Sequence, residues 1–232
     1  MTTADEQKRA VGEAAAALVE DGMTVGLGTG STAAQMVRAL GMRVKTERLR
    51  LRCVATSDAT AALGVGVGLD LVELDAAGRI DLTLDGADEI GPDLALLKGG
   101  GAALLREKLV WEASRRCIVI SDASKVVGRL GRFPLPVEVV AFGHASTATR
   151  LAAAAREAGI TAEPRLRAHQ GATVSTDGGN VIYDVSCGVI PEPARLAAAL
   201  DHITGVVEHG LFLKLADGAL IAGPEGVRWL HG

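Results

Sequence analysis

Aromatic side chains are almost missing from this chain: two tryptophans, one tyrosine and three phenylalanines among 232 residues. The core must therefore be built from Ala, Val, Leu and Ile, which suits parallel strands buried on both faces. Cysteine is equally sparse. Cys53, Cys117 and Cys187 are odd in number and scattered, which argues against a disulfide frame or a zinc site and for buried thiols in a reducing compartment. The five histidines form no i, i+4 pair and no HExxH motif.

Long basic runs are also absent, and the net charge is −4. Binding a phosphate backbone needs clustered Lys and Arg, so no nucleic-acid partner is expected. The densest basic stretch, "MRVKTERLRLR" from Met42 to Arg52, includes Glu47 and partly alternates with apolar residues; it reads as a solvated surface. No apolar stretch approaches membrane-spanning length. The opening "MTTADEQKRAVGEAAAALVEDG" has the pattern of an amphipathic helix, acidic early, and not that of a signal peptide. The expectation is a cytoplasmic protein with no membrane partner.

What is present is a βα alternation. Strand-like runs occur at 23–27, 49–56, 69–74, 80–85, 94–99 and 117–121, with helical patterns at 5–20, 31–40, 58–64 and 102–115. The fold class expected is α/β, a mainly parallel Rossmann-like sheet flanked by helices, with ligands at the carboxyl ends of the strands. After "RFPLPVEVV" the order becomes strand 137–142, helix 146–157, strand 161–166, strand 180–186, helix 192–201 and strand 205–209. That βαββαβ order predicts a second, smaller ferredoxin-like α+β domain. The expected division is 1–132 plus 206–232 for the larger domain and 133–205 for the smaller, with "GLFLKLADGALIAGPEGVRWL" returning to the larger.

Four motifs carry chemistry. "GLGTGSTA", residues 26–33, is a glycine-rich strand-to-helix turn that can present backbone N–H groups to an anion. It formally fits a dinucleotide fingerprint, but no acidic residue follows at a second strand's end about 20 residues on, and no Lys follows the glycines as a nucleotide P-loop requires. Thr29, Ser31 and Thr32 can also be simple capping groups. "LKGGGAALLREK", residues 97–108, sets Lys98 before Gly99, Gly100 and Gly101 and puts Glu107 in the following helix. Three glycines in a row are entropically costly unless backbone must come close to something; a base beside an oxyanion site is one use, a solvated helix face the bland alternative. "SDASK" delivers Lys125 after another strand, and lysine is scarce here, six against eighteen arginines.

"DGADEI", residues 85–90, places Asp85, Asp88 and Glu89 around Gly86 and Ala87. A Mg²⁺ site at Asp85 and Asp88 is chemically possible. It ranks below proton chemistry because lysines positioned nearby would compete with the cation.

Taken together and in order, "KRAVG", "GLGTGSTA", "TSDAT", "DGADEI", "LKGGGAALLREK", "SDASK", "FPLPVEV", "TDGGNVIYD" and "GVVEHGLF" resemble the ribose-5-phosphate isomerase A family over almost the whole chain. The resemblance implies a metal-free, cofactor-free aldose–ketose isomerase acting on a small-molecule sugar phosphate through an enediol, as a homodimer or a tetramer. It implies Glu107 as the base, Asp85 as the acid/base group of ring opening and hydroxyl proton transfer, and Asp88 as a sugar binder. It further implies Lys98 with Gly99, Gly100 and Gly101 at the enediolate oxygen. Lys8, Ser31, Thr32 and Lys125 would take the phosphate, with Thr29 and Gly30 shaping that loop and Gly86 and Ala87 lining the sugar. Glu89 is expected to be a surface or turn residue.

Overall fold

The first helix begins where the sequence supplies a cap. The Glu6 N–H donates to the Thr3 hydroxyl at 3.2 Å and the Thr3 N–H donates to the Glu6 carboxylate at 2.7 Å, a capping box. The computed structural model describes residues 3–232. In chain order it runs α1 (Ala4–Ala16), β1 (Thr24–Leu27), α2 (Ser31–Glu47), β2 (Arg52–Ala55), α3 (Asp58–Val67), α4 (Leu74–Ala77), β3 (Leu82–Asp85), β4 (Glu89–Ile90) and β5 (Leu96–Leu97). It continues with α5 (Leu104–Glu112), β6 (Cys117–Asp122), β7 (Leu135–Val139), α6 (His144–Glu157), β8 (Arg165–Leu166), β9 (Ala168–His169), β10 (Ala172–Thr173) and β11 (Val181–Val185). Last come α7 (Pro193–Asp201), β12 (Val206–His209), β13 (Leu211–Phe212), β14 (Gly218–Gly223) and β15 (Gly226–Leu230).

The chain divides into two compact units: residues 1–87 with 106–126 and 215–232, and residues 88–105 with 127–214. The first holds a six-stranded sheet ordered β15-β14-β6-β3-β1-β2, parallel except for β15. Strand order reverses at β1, which has β3 on one side and β2 on the other, so the switch point lies between β1 and β3. Val11 and Ala15 of α1 and Met36, Val37 and Leu40 of α2 pack with Val25, Leu27, Leu84, Ile118 and Ile120 of the strands, while Val54, Ala77, Ile80 and Val110 form a second cluster. As expected, small and branched aliphatic residues do this work.

The second unit contains an antiparallel sheet ordered β12-β7-β11-β8 with α6 and α7, which is the expected βαββαβ arrangement. It also contains the three-stranded sheet β13-β5-β4 and the β9–β10 hairpin. Its core runs from Leu97 through Val137, Leu151, Tyr183 and Leu196 to Leu211. This unit is larger than the expected 133–205, because 88–105, 127–132 and 206–214 go with it. The closing stretch accordingly divides: β13 pairs with β5, whereas β14 and β15 join the six-stranded sheet.

Some elements differ from expectation for local reasons. Residues 69–74 form no extended strand; Leu71 makes a single bridge to Cys53, and Leu74 already starts α4. The strand expected over 49–56 shortens because α2 runs on to Glu47 and closes on Arg48 at φ 59°. The basic stretch there makes ion pairs: Arg43 with Glu47, and Arg50 with Asp21, whose carboxyl is held down to about 2 chiefly by that guanidinium. No helix among the described residues is long and apolar enough to cross a membrane.

Candidate active site

At the carboxyl ends of the parallel strands the first unit gathers the loop after β1, the start of α3 after β2, Asp85 at the end of β3, and Lys125 just past β6. Asp85 is fully buried. Its Oδ1 accepts the backbone N–H groups of Thr29 at 3.0 Å and Gly86 at 2.7 Å, and its Oδ2 accepts the indole N–H of Trp111 at 3.3 Å. A carboxylate can be buried when it is met by donors in this way. Gly28 makes the approach possible: a Cβ there would lie 2.1 Å from Asp85 Oδ1.

Thr29 turns its hydroxyl into a cluster of its own kind. Thr29 Oγ1 lies 2.7 Å from Thr56 Oγ1 and donates to Ser57 Oγ at 2.8 Å, and Thr60 Oγ1 donates to the Gly28 carbonyl at 3.0 Å. Thr29 thus links the loop after β1 to the start of α3. Gly30 precedes α2 and offers no side-chain cap to the first-turn N–H groups beside exposed Ser31 and half-buried Thr32; a helix start of this kind is able to receive an anion. Lys8 is partly exposed on α1 and lies 3.9 Å from Asp5.

Glu107 is 4 % exposed on α5, one helical turn before Trp111. Side chains four residues apart share a helix face. Since Trp111 reaches Asp85, Glu107 lies on the face of α5 that is turned toward that carboxylate. Arg106, next to it, is drawn off to Asp58 at 2.6 Å.

The second unit carries the other motif residues. Lys98 is 2 % exposed, its backbone N–H donates to the Gly210 carbonyl at 2.8 Å, and its ammonium sits 5.5 Å from the Phe212 ring centre. Gly99 adopts φ 104°, a conformation that favours glycine and explains one member of the triple run. Gly100 donates its N–H to Asp88 Oδ2 at 2.8 Å, so at this position the glycine nest serves a protein carboxylate. Arg167 donates to the carbonyls of Gly99 at 2.8 Å and Gly100 at 3.3 Å while paired with Asp184. Gly101 is exposed, and Ala87 and Gly86 are half-buried.

Glu89 is neither a surface nor a turn residue. It is fully buried in β4 and accepts the backbone N–H groups of Gly131 and Phe133, each at 2.7 Å, with Arg132 3.8 Å away. The sequence gives it the same appearance as its acidic neighbours; only the pairing partners, more than forty positions away, distinguish it. Trp111 and Arg167 were also not singled out from sequence. The one available sign was the i, i+4 spacing of Glu107 and Trp111.

Among the described residues, three metal-ligating side chains converge at Asp201, Glu208 and His209. His209 Nδ1 accepts the Leu211 N–H at 3.2 Å and Nε2 lies 3.1 Å from Asp201, so the ring keeps its hydrogen on Nε2 and the arrangement is an imidazole–carboxylate pair. All three cysteines are free, and burial pushes the Cys53 and Cys117 thiols up to about 12 and Cys187 up to about 11.

Residues 52–226 match the family model of ribose 5-phosphate isomerase A (phosphoriboisomerase A). A ribose-5-phosphate isomerase A of Caulobacter sp. (strain K31) is 62% identical over 225 residues, covering 97% of each chain. The structure of ribose 5-phosphate isomerase A from Methanocaldococcus jannaschii superposes with a TM-score of 0.90 at 38% identity, covering 99% of this chain and 100% of that one. A D-ribose-5-phosphate isomerase solved in complex with phospho-erythronic acid gives a TM-score of 0.92 at 33% identity, with both chains fully covered. On the matching motifs, fold and near-complete coverage, the chain belongs to the ribose 5-phosphate isomerase A family.

Proposed function

We propose that in this isomerase, which interconverts ribose 5-phosphate and ribulose 5-phosphate in the pentose phosphate pathway, Glu107 carries the proton between the two sugar carbons and Asp85 carries the proton of the ring and hydroxyl oxygens. Aldose–ketose isomerisation removes a weakly acidic C–H next to a carbonyl. It needs a positioned carboxylate, a cation or N–H donors at the oxygen that becomes an enediolate, and a remote handle. Glu107 supplies the first. Lys98 supplies the cation, with the Gly99 to Gly101 backbone beside it in sequence, and Asp88 holds sugar hydroxyls. The phosphate is the handle, taken by Ser31, Thr32, Lys8 and Lys125.

One observation supports this reading above the others: Trp111 on α5 reaches the buried Asp85, which turns the Glu107 face of the same helix toward that carboxylate. A relative that was solved with a phosphorylated sugar acid supports the substrate class. The reading extends to a cytoplasmic homodimer that works without metal. Phe142, 95% exposed in the second unit, with Val140 and Val189 also exposed, supports an apolar contact between copies.

The test is turnover of ribose 5-phosphate by the purified protein with and without a chelator, beside Glu107→Gln. Chelator-resistant activity that the variant lacks is expected. Sugar-phosphate binding without conversion by the unaltered protein would refute the assignment.

A further inference from the structure

Trp111 is the one aromatic residue of α5, and it is 2 % exposed. An indole has a single polar atom, and that atom can only donate. Here it faces Asp85 Oδ2 at 3.3 Å, while Oδ1 of the same carboxylate accepts two backbone N–H groups, from Thr29 and Gly86. A proton on Oδ1 would have to displace one of those amides and leave it buried without its acceptor. A proton carried by Asp85 therefore travels on Oδ2, the oxygen that Trp111 holds.

We propose that Trp111 is a positioning residue for the isomerisation. The amides of Thr29 and Gly86 hold Oδ1, and the indole N–H is a third donor, placed on the other oxygen, the one on which the proton travels, so it bears directly on how that oxygen is aimed and on how readily it takes the proton. The third donor comes from the helix that carries Glu107, one turn away. A rigid helix thus sets the base and the orientation of its acid partner together, which is the arrangement that catalytic geometry requires. A tryptophan that only filled space would need its ring and not its N–H. The inference rests on the reading of Asp85 as a proton carrier.

That distinction gives the experiment. Trp111 is replaced by 3-benzothienylalanine, in which sulfur stands where the indole has N–H and the shape is kept, and separately by 5-fluorotryptophan, which keeps the N–H. Trp111→Phe and Asp85→Asn are assayed beside them, with kcat, KM for ribose 5-phosphate and the thermal midpoint measured for each. Expected is a fall in kcat of about tenfold for the benzothienyl protein with KM within about twofold, because an interaction that positions a reacting group acts on kcat. Its thermal midpoint stays near that of the unaltered protein, and fluorotryptophan restores kcat. Unchanged kcat in the benzothienyl protein, with Asp85→Asn inactive, overturns the role of Trp111 and leaves Asp85 in place. Normal kcat in Asp85→Asn removes the proton-carrier reading, and the role of Trp111 with it.

Discussion

The backbone N–H of Thr29 donates to Oδ1 of Asp85 across 3.0 Å, fastening the loop after β1 to the last residue of β3, 56 positions away in sequence. The Thr29 hydroxyl meanwhile joins Thr56 and Ser57, at the end of β2 and the cap of α3. One residue thus ties three neighbouring strand ends together. The helix start proposed to take the phosphate and the carboxylate proposed to move a proton share a single support.

Gly28→Ala tests that support. The new Cβ would lie 2.1 Å from Asp85 Oδ1, so loop and carboxylate must separate. Activity should fall by at least about a hundredfold, in the range lost with a displaced acid–base group. The assay is steady-state turnover, with circular dichroism to check the fold; an active, normally folded variant would show the contact to be dispensable.

Glu107→Gln keeps the shape of the side chain and removes the basic oxygen. A fall in kcat of roughly 10²- to 10⁴-fold is expected, with sugar-phosphate binding still measurable by calorimetry. Near-normal kcat would take Glu107 out of its role.

Lys125→Ala should act differently. It deletes a contact to a group that does not react, so KM should rise, about tenfold or more, with a smaller change in kcat. Competitive inhibition by inorganic phosphate should weaken in parallel. An unchanged KM would remove Lys125 from the phosphate site.

Glu89 is predicted to matter for stability. Glu89→Ala leaves the Gly131 and Phe133 N–H groups without their acceptor and should cost about 3 kcal/mol, read as a lower urea midpoint. Glu89→Gln keeps one acceptor oxygen and should cost less. Equal midpoints for all three proteins would contradict the buried hydrogen bonds.

The thiols should be silent in the folded state. The thiolate is the reactive form, and burial raises Cys53 and Cys117 to about 12 and Cys187 to about 11, so at pH 8 all three are protonated. Alkylation followed by mass spectrometry should show slow labelling without denaturant, Cys187 first as the least buried, and complete labelling in urea.

Much of this was legible in the sequence because it is local. Glycine turns, caps and alternating apolar runs placed β1, β3, β6 and the βαββαβ order, and the motifs put Asp85 and Lys125 at strand ends. What was not legible depends on distant partners. Leu69 to Leu74 reads as a strand by its apolar pattern, yet among the described residues Leu71 makes one isolated bridge, to Cys53. Glu89 looks like its neighbour Asp88 until Gly131 and Phe133 arrive on it. Trp111 reads as core, and only its 3.3 Å contact with Asp85 shows that its nitrogen is in use. The unit boundaries were misplaced for a similar reason: 88–105 and 206–214 are committed by the pairing of β5 with β4 and β13, which no single stretch announces.

The pairing of β14 with β6 bears on how the protein is made. Gly218–Ala222 lies in register beside Ile118–Asp122, a hundred residues earlier, and β15 joins the sheet by pairing with β14. On the ribosome β6 waits for that neighbour until the larger segment of the second unit, from Val127 to Lys214, has been synthesised. At about 5–20 residues per second the delay is on the order of ten seconds. During it Val119 and Ile120 form an open strand edge, the kind of surface that chaperones cover and that other nascent chains can join. A stop codon anywhere before Gly218 would leave that edge open for good.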